Sequence, residues 1–134
     1  MKATFASLAL LLFSVAAFGH HGTFVSYDTT KPFTTKATIT EFHYTNPHLQ
    51  LYFDVKDDQG NVTHWSGEGP DPAVLVQAGW GRKRTQTALA PGAEVTITVN
   101  PARNGKPVGE INKVVLSTGE PICGFSGARE SCGN

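Results

Sequence analysis

Apolar and polar residues alternate most cleanly over residues 49–55, where Leu49, Leu51, Phe53 and Val55 share one face and Gln50, Tyr52 and Asp54, preceded by His48, share the other. A period of two is the mark of a half-buried β-strand. Upstream, residues 34–44 read as a first strand, with Ala37 and Ile39 on one face but Phe42 and Tyr44 on the opposite one. The apolar face changes sides near Thr40-Glu41, which implies a β-bulge or sharp bend. Thr45-Asn46-Pro47-His48 forms the turn between the two strands. Asp57-Asp58-Gln59-Gly60-Asn61 then predicts a hairpin into a third strand, Val62 to Glu68, which carries His64 and Trp65 and is stopped by Gly69 and Pro70.

The pattern next changes period. Asp71 is placed to cap a helix with Pro72 at its first position, and Ala73 to Ala78 fills about two turns before Gly79 ends it. Trp80-Gly81 and the basic run Arg82-Lys83-Arg84 read as a solvated loop. Pro91-Gly92 turns the chain into a fourth strand, Ala93 to Asn100, and Arg103 to Pro107 turns it into a fifth, Val108 to Leu116. Three strands, one short helix and two more strands is the order of the OB-fold, a small five-stranded Greek-key barrel. The expected fold is thus mainly β, an OB-like barrel over 34–118 with one short helix between strands three and four. An open sandwich with an incidental helix is the alternative.

Composition adds an address. Lys2 followed by the apolar stretch Leu8 to Phe18 reads as a signal peptide over 1–19, too short to cross a bilayer as a permanent helix. Cleavage after Gly19 is favoured, which makes His20 the first mature residue, and cleavage after Ala17 is the alternative. A periplasmic or secreted protein with no membrane span is expected, with 20–33 as a lead-in to the barrel. Of 134 residues about 115 then remain, enough for one domain. Removing Lys2 leaves 10 Lys and Arg against 11 Asp and Glu, so no basic face is implied and nucleic acid is not an expected partner. Cys123 and Cys132 suit a structural disulfide in a loose tail over 119–134, since they lack the Cys-x-x-Cys spacing of a metal or redox pair.

The five histidines carry the candidate chemistry. A mature amine and the His20 ring can chelate one metal ion, and His21, His48 or His43 can supply a further nitrogen. Such a set suits Cu(II), which prefers tetragonal nitrogen coordination. A polar terminus with no ligand is the plain alternative for His20 and His21. His43 and His48 flank the Asn-Pro turn and form a pair only if the strands close tightly around it. His64 reads as structural or solvent-facing. A second class of reading places a ligand surface on strands two and three, with Tyr52 and Trp65 as stacking groups. Against it, Trp65 and Trp80 also suit the ends of a small core. No nucleophile and base pairing, carboxylate pair or phosphate loop is present, and Glu41 and Glu68 stand isolated in the sequence.

His20-His21-Gly22, Phe24, Tyr27-Asp28, Thr45-Asn46-Pro47-His48, Trp65, Glu68-Gly69, Gly79-Trp80 and Pro91-Gly92 with Glu94-Val95 together resemble the exported bacterial family of domains of unknown function numbered 6152. The likeness runs over nearly the whole mature chain, and its most specific parts are the paired histidines and the Asn-Pro-His turn. It implies a secreted or periplasmic β-barrel and transfers no catalytic residue. The chain departs from the pattern at Gly22, where members usually carry serine, and in its cysteine-containing tail from Pro121 onward. The expected function is a small exported binding protein whose partner is copper or an unidentified periplasmic molecule, more a binder than an enzyme. A copper enzyme built on a terminal histidine brace is a third possibility.

Overall fold

The computed structural model of the chain describes residues 26–125. Five strands, β1 (Phe33–His43), β2 (Gln50–Lys56), β3 (Val62–Glu68), β4 (Glu94–Pro101) and β5 (Val108–Leu116), close into a barrel in the order β1-β2-β3-β5-β4. Between β3 and β4 lie two helices, α1 (Pro72–Gln77) and α2 (Arg82–Ala88). The expected OB-like barrel is what the chain forms.

The bulge expected near Thr40-Glu41 is what lets one strand serve two partners. The first half of β1 pairs with β4, Phe33 to Thr38 against Val99 to Glu94, while its second half pairs with β2, and the register shifts between Ile39 and Glu41. An extra residue bends the strand and increases its twist, so β1 turns from one wall of the barrel to the other. The alternating residues of β2 point inward as their period dictates, with Leu51 and Phe53, and Leu49 just before the strand, wholly buried. They meet Ile39, Ile97, Val99, Ile111 and Val114 in one continuous core.

Helix α1 begins as its sequence prescribes, the Asp71 carboxylate accepting from the Ala73 N–H at 2.7 Å. Helix α2 corrects the expected loop, because Arg82-Lys83-Arg84 is its first turn. Straight-chain side chains lose little freedom in a helix, and this one is anchored by Thr85, fully buried, whose hydroxyl donates to the carbonyls of Trp80 and Gly81 at 3.1 Å each. Arg84 lies over the Trp80 ring, 3.8 Å from its centroid, and Leu89 enters the core. The second correction concerns the tail. Ile122 and Phe125 are buried, and the Ile122 N–H donates to the Val114 carbonyl, so residues 121–125 cover the barrel rather than trailing from it. Cys132, and with it the expected pairing to Cys123, lies outside the described residues, as do the signal segment, His20 and His21.

Candidate functional site

His48 is held at the end of the β2–β3 pair where β2 begins and β3 stops. Its own carbonyl accepts from the Thr45 hydroxyl at 2.8 Å, and Leu49, one residue on, is tied to Gly69 and Pro70 by two backbone hydrogen bonds of 2.8 and 3.1 Å. The peptide bond between Asn46 and Pro47 is cis. With Leu49 buried inward, strand alternation turns His48 to the outer face. There its Nδ1 lies 3.2 Å from the Gly69 carbonyl and its Nε2 3.3 Å from Glu68 Oε1.

Glu68, the last residue of β3, is the hinge of the site. Its Oε2 accepts from the Tyr27 hydroxyl at 3.1 Å, although the two residues are 41 positions apart. Tyr27 is delivered by the lead-in, which runs beside the end of β4: Tyr27 bridges to Ala102, the Asp28 N–H donates to the Pro101 carbonyl and Arg103 Nε donates to the Tyr27 carbonyl. Partial burial, the Glu68 charge, the hydrogen bond to Glu68 and the charge of Glu110 push the Tyr27 phenol up to about 12, so at neutral pH it is a proton donor. Glu110 pairs with Glu68 across β3 and β5 and accepts from the buried Asn100 amide at 2.9 Å.

The other candidates separate. His43 faces outward like His48 but takes Glu41 as its partner and lies against Tyr52, ring centroids 5.6 Å apart. His64 pairs with Asp54. Each described histidine thus has its own carboxylate. Tyr52 and Trp65 do not share a face: the register sets Tyr52 opposite Ser66 and Phe53 opposite Trp65, so Trp65 is turned inward with the buried Phe53. Among the described residues no group of three or more His, Cys, Asp or Glu side chains is placed to hold a metal ion.

Glu68 and Tyr27 are the residues that reading the sequence one position at a time misses. Drawing the hairpin register would have found Glu68, because pairing through the 57–61 turn sets it opposite Gln50 and beside His48. For Tyr27 the sequence offers only its place in the family pattern.

A family model described as "Family of unknown function (DUF6152)" matches residues 9–111, well over half of the chain. No curated protein and no solved structure matches.

Proposed function

The chain belongs to the DUF6152 family, whose function is unknown, and from that premise we propose that it is an exported, periplasmic binding protein that takes Cu(II) beside His48. His20, as the mature terminus, supplies amine and ring, and His21 a further nitrogen. The observation that carries this reading is the position of the His48 ring between two acceptors. A neutral imidazole has one N–H, and the Gly69 carbonyl, which can only accept, claims it at Nδ1. Nε2 then turns its lone pair toward a carboxylate oxygen, an edge that a cation relieves. A histidine ligand with its second nitrogen hydrogen-bonded to a backbone carbonyl is the usual arrangement at metal centres. A second proton on the ring satisfies the same edge, and the metal reading requires copper to displace it.

Reach adds support. Tyr27 is docked on Glu68, and the seven residues back to His20 extend up to about 24 Å, ample to return the terminus to His48. Native mass spectrometry of the protein recovered from the periplasm tests the reading, since it reads cleavage site and metal content together. A chain beginning at His20 with one copper, lost on His20→Ala/His21→Ala and on His48→Ala, is expected. A correctly processed chain that takes up no copper at micromolar concentration sinks it. The competing reading is a binding face for a protein or small organic ligand, and the exposed Tyr52 beside His43 favours it. It predicts that the histidine variants leave partner capture unchanged.

A further inference from the structure

The bend that passes β1 from β2 to β4 leaves an opening on the outside of the barrel. The last rung between β1 and β2 joins Thr38 to Asp54, and beyond it the two strands run on without pairing. A groove of about 660 Å³ lies there, within the roughly 300–1,000 Å³ of small-ligand pockets. Lys36 and Lys56, each two positions past that rung and so on the same face, line it from the two strands. Thr38 pairs on its other side with Glu94 of β4, so Asp54, Thr38 and Glu94 form a row across the groove. Side chains on one strand face repeat about every 6.8 Å, which sets the spacing between this acidic row and the two lysines. Among the described residues the ion pairs are His43 with Glu41, His48 with Glu68, His64 with Asp54 and Arg84 with Glu120. Lys36, Lys56 and Glu94 thus carry charges that no partner in the described fold offsets, while Asp54 gives an oxygen to His64.

We infer that this groove binds a short peptide with free termini, about two residues long, its carboxylate between Lys36 and Lys56 and its ammonium against Glu94. A ligand of one sign meets its own charge at one end of the groove, whereas a zwitterion meets the opposite charge at both. Length then selects among zwitterions. One residue spans at most about 3.3–3.6 Å, so a free amino acid holds its charges too close together for the two rows. Two residues reach about 7 Å, which matches them. Thr38, Thr96 and Ser117 also line the groove, and a hydroxyl can both donate and accept, as a peptide group requires. Val115, half-buried on β5 and paired with Thr96, supplies an apolar floor for a small side chain. No residue of the groove takes part in the copper reading, so the two stand or fall separately.

The test is an amide chemical-shift titration of the full-length protein with dialanine, N-acetyl-dialanine, dialanine amide and alanine, at low ionic strength, where exposed charges are screened least. Dialanine is expected to bind with a Kd of about 1 mM or tighter and to shift the amides around Thr38 and Thr96. Capping either terminus should weaken it about threefold to fivefold, and alanine should bind more weakly than dialanine. Lys36→Ala/Lys56→Ala should no longer distinguish dialanine from its amide, and Glu94→Gln should no longer distinguish it from the N-acetyl form. All three positions are exposed, and a cooperative melt checks each variant. No shift with dialanine up to about ten times that concentration overturns the inference, as does equal binding of all four compounds or of the variants and the unaltered protein. Inorganic phosphate binding as tightly as dialanine would make the groove a simple anion site and overturn the assignment as well.

Discussion

Gly67 of β3 and Gly109 of β5 are direct partners across the parallel seam that closes the barrel. The seam spans three residue pairs, Ser66 to Glu68 against Val108 to Glu110, and it positions Glu68 beside Glu110. Both glycines are there for lack of space. A Cβ on Gly109 would stand 2.7 Å from the Asn100 backbone oxygen, and one on Gly67 2.5 Å from the end of the Ile111 side chain. Backbone in a strand cannot step aside, while a side-chain end can rotate. Gly109→Ala is therefore expected to lower stability by about 2–3 kcal/mol and Gly67→Ala by about 1–2 kcal/mol. Urea unfolding of both variants checks the order, and a harmless Gly109→Ala would show that the seam is looser than described.

Trp65 sits between Phe33 and Phe53, with ring centroids 5.1 and 6.3 Å away, whereas Tyr52 is exposed on the other face. Truncating the tryptophan removes packing and leaves a gap, and Trp65→Ala is expected to cost about 3 kcal/mol. Tyr52→Ala should stay within about 0.5 kcal/mol. Thermal melts distinguish the two, and a larger loss at Tyr52 would contradict the inward placement of Trp65.

What was legible in the sequence follows from where the physics is local. Strand β2 shows its inward face because every second residue is apolar, and the β1 bulge shows itself because that alternation breaks. On β3 the residues opposite Val55, Phe53 and Leu51 are Thr63, which is exposed, Trp65 and Gly67. Only one of them is a large apolar group, so no period betrays which face is buried, and Trp65 is easily assigned to the surface. Helix α2 hides for a similar reason, since the buried residue in its span is Thr85. The contact between Tyr27 and Glu68 is invisible until the barrel is closed, because it depends on β4 carrying the lead-in past the end of β3.

The tail offers a direct check on its corrected role. Phe125 packs over Gly69, where an added Cβ would stand 3.1 Å from its ring, and the Gly69 carbonyl faces the His48 ring. Ending the chain after Glu120 removes Ile122 and Phe125, both buried, and is expected to cost about 3–5 kcal/mol. It should also loosen His48. Cys132→Ser retains both apolar residues, so a smaller loss is expected from it. Denaturant midpoints for the two variants separate packing from cross-linking, and equal losses would assign the whole effect to the expected Cys123–Cys132 bridge.

Tyr27 makes the polar cluster visible at alkaline pH. Its phenol is raised from an ordinary value of 10.0 to about 12, first by burial and then by the Glu68 charge. Below pH 10 both the folded and unfolded chains carry the proton, and the stabilising contribution is fully present. Between about pH 10 and 12 the unfolded chain binds fewer protons than the folded one, so stability falls as pH rises through that window. Tyr27→Phe removes this term, and the variant should lose less stability over the same range than the unaltered protein. The three tyrosines also give an optical readout. Subtracting the phenolate absorbance titration of Tyr27→Phe from that of the unaltered protein should isolate one component that ionises well above the ordinary range. Adding Glu68→Gln should bring that component down, because it removes the nearest negative charge while leaving burial in place. A Tyr27 component centred at the ordinary value would mean that the phenol is free of Glu68 in solution, and the carboxylate would then have no fixed direction toward His48.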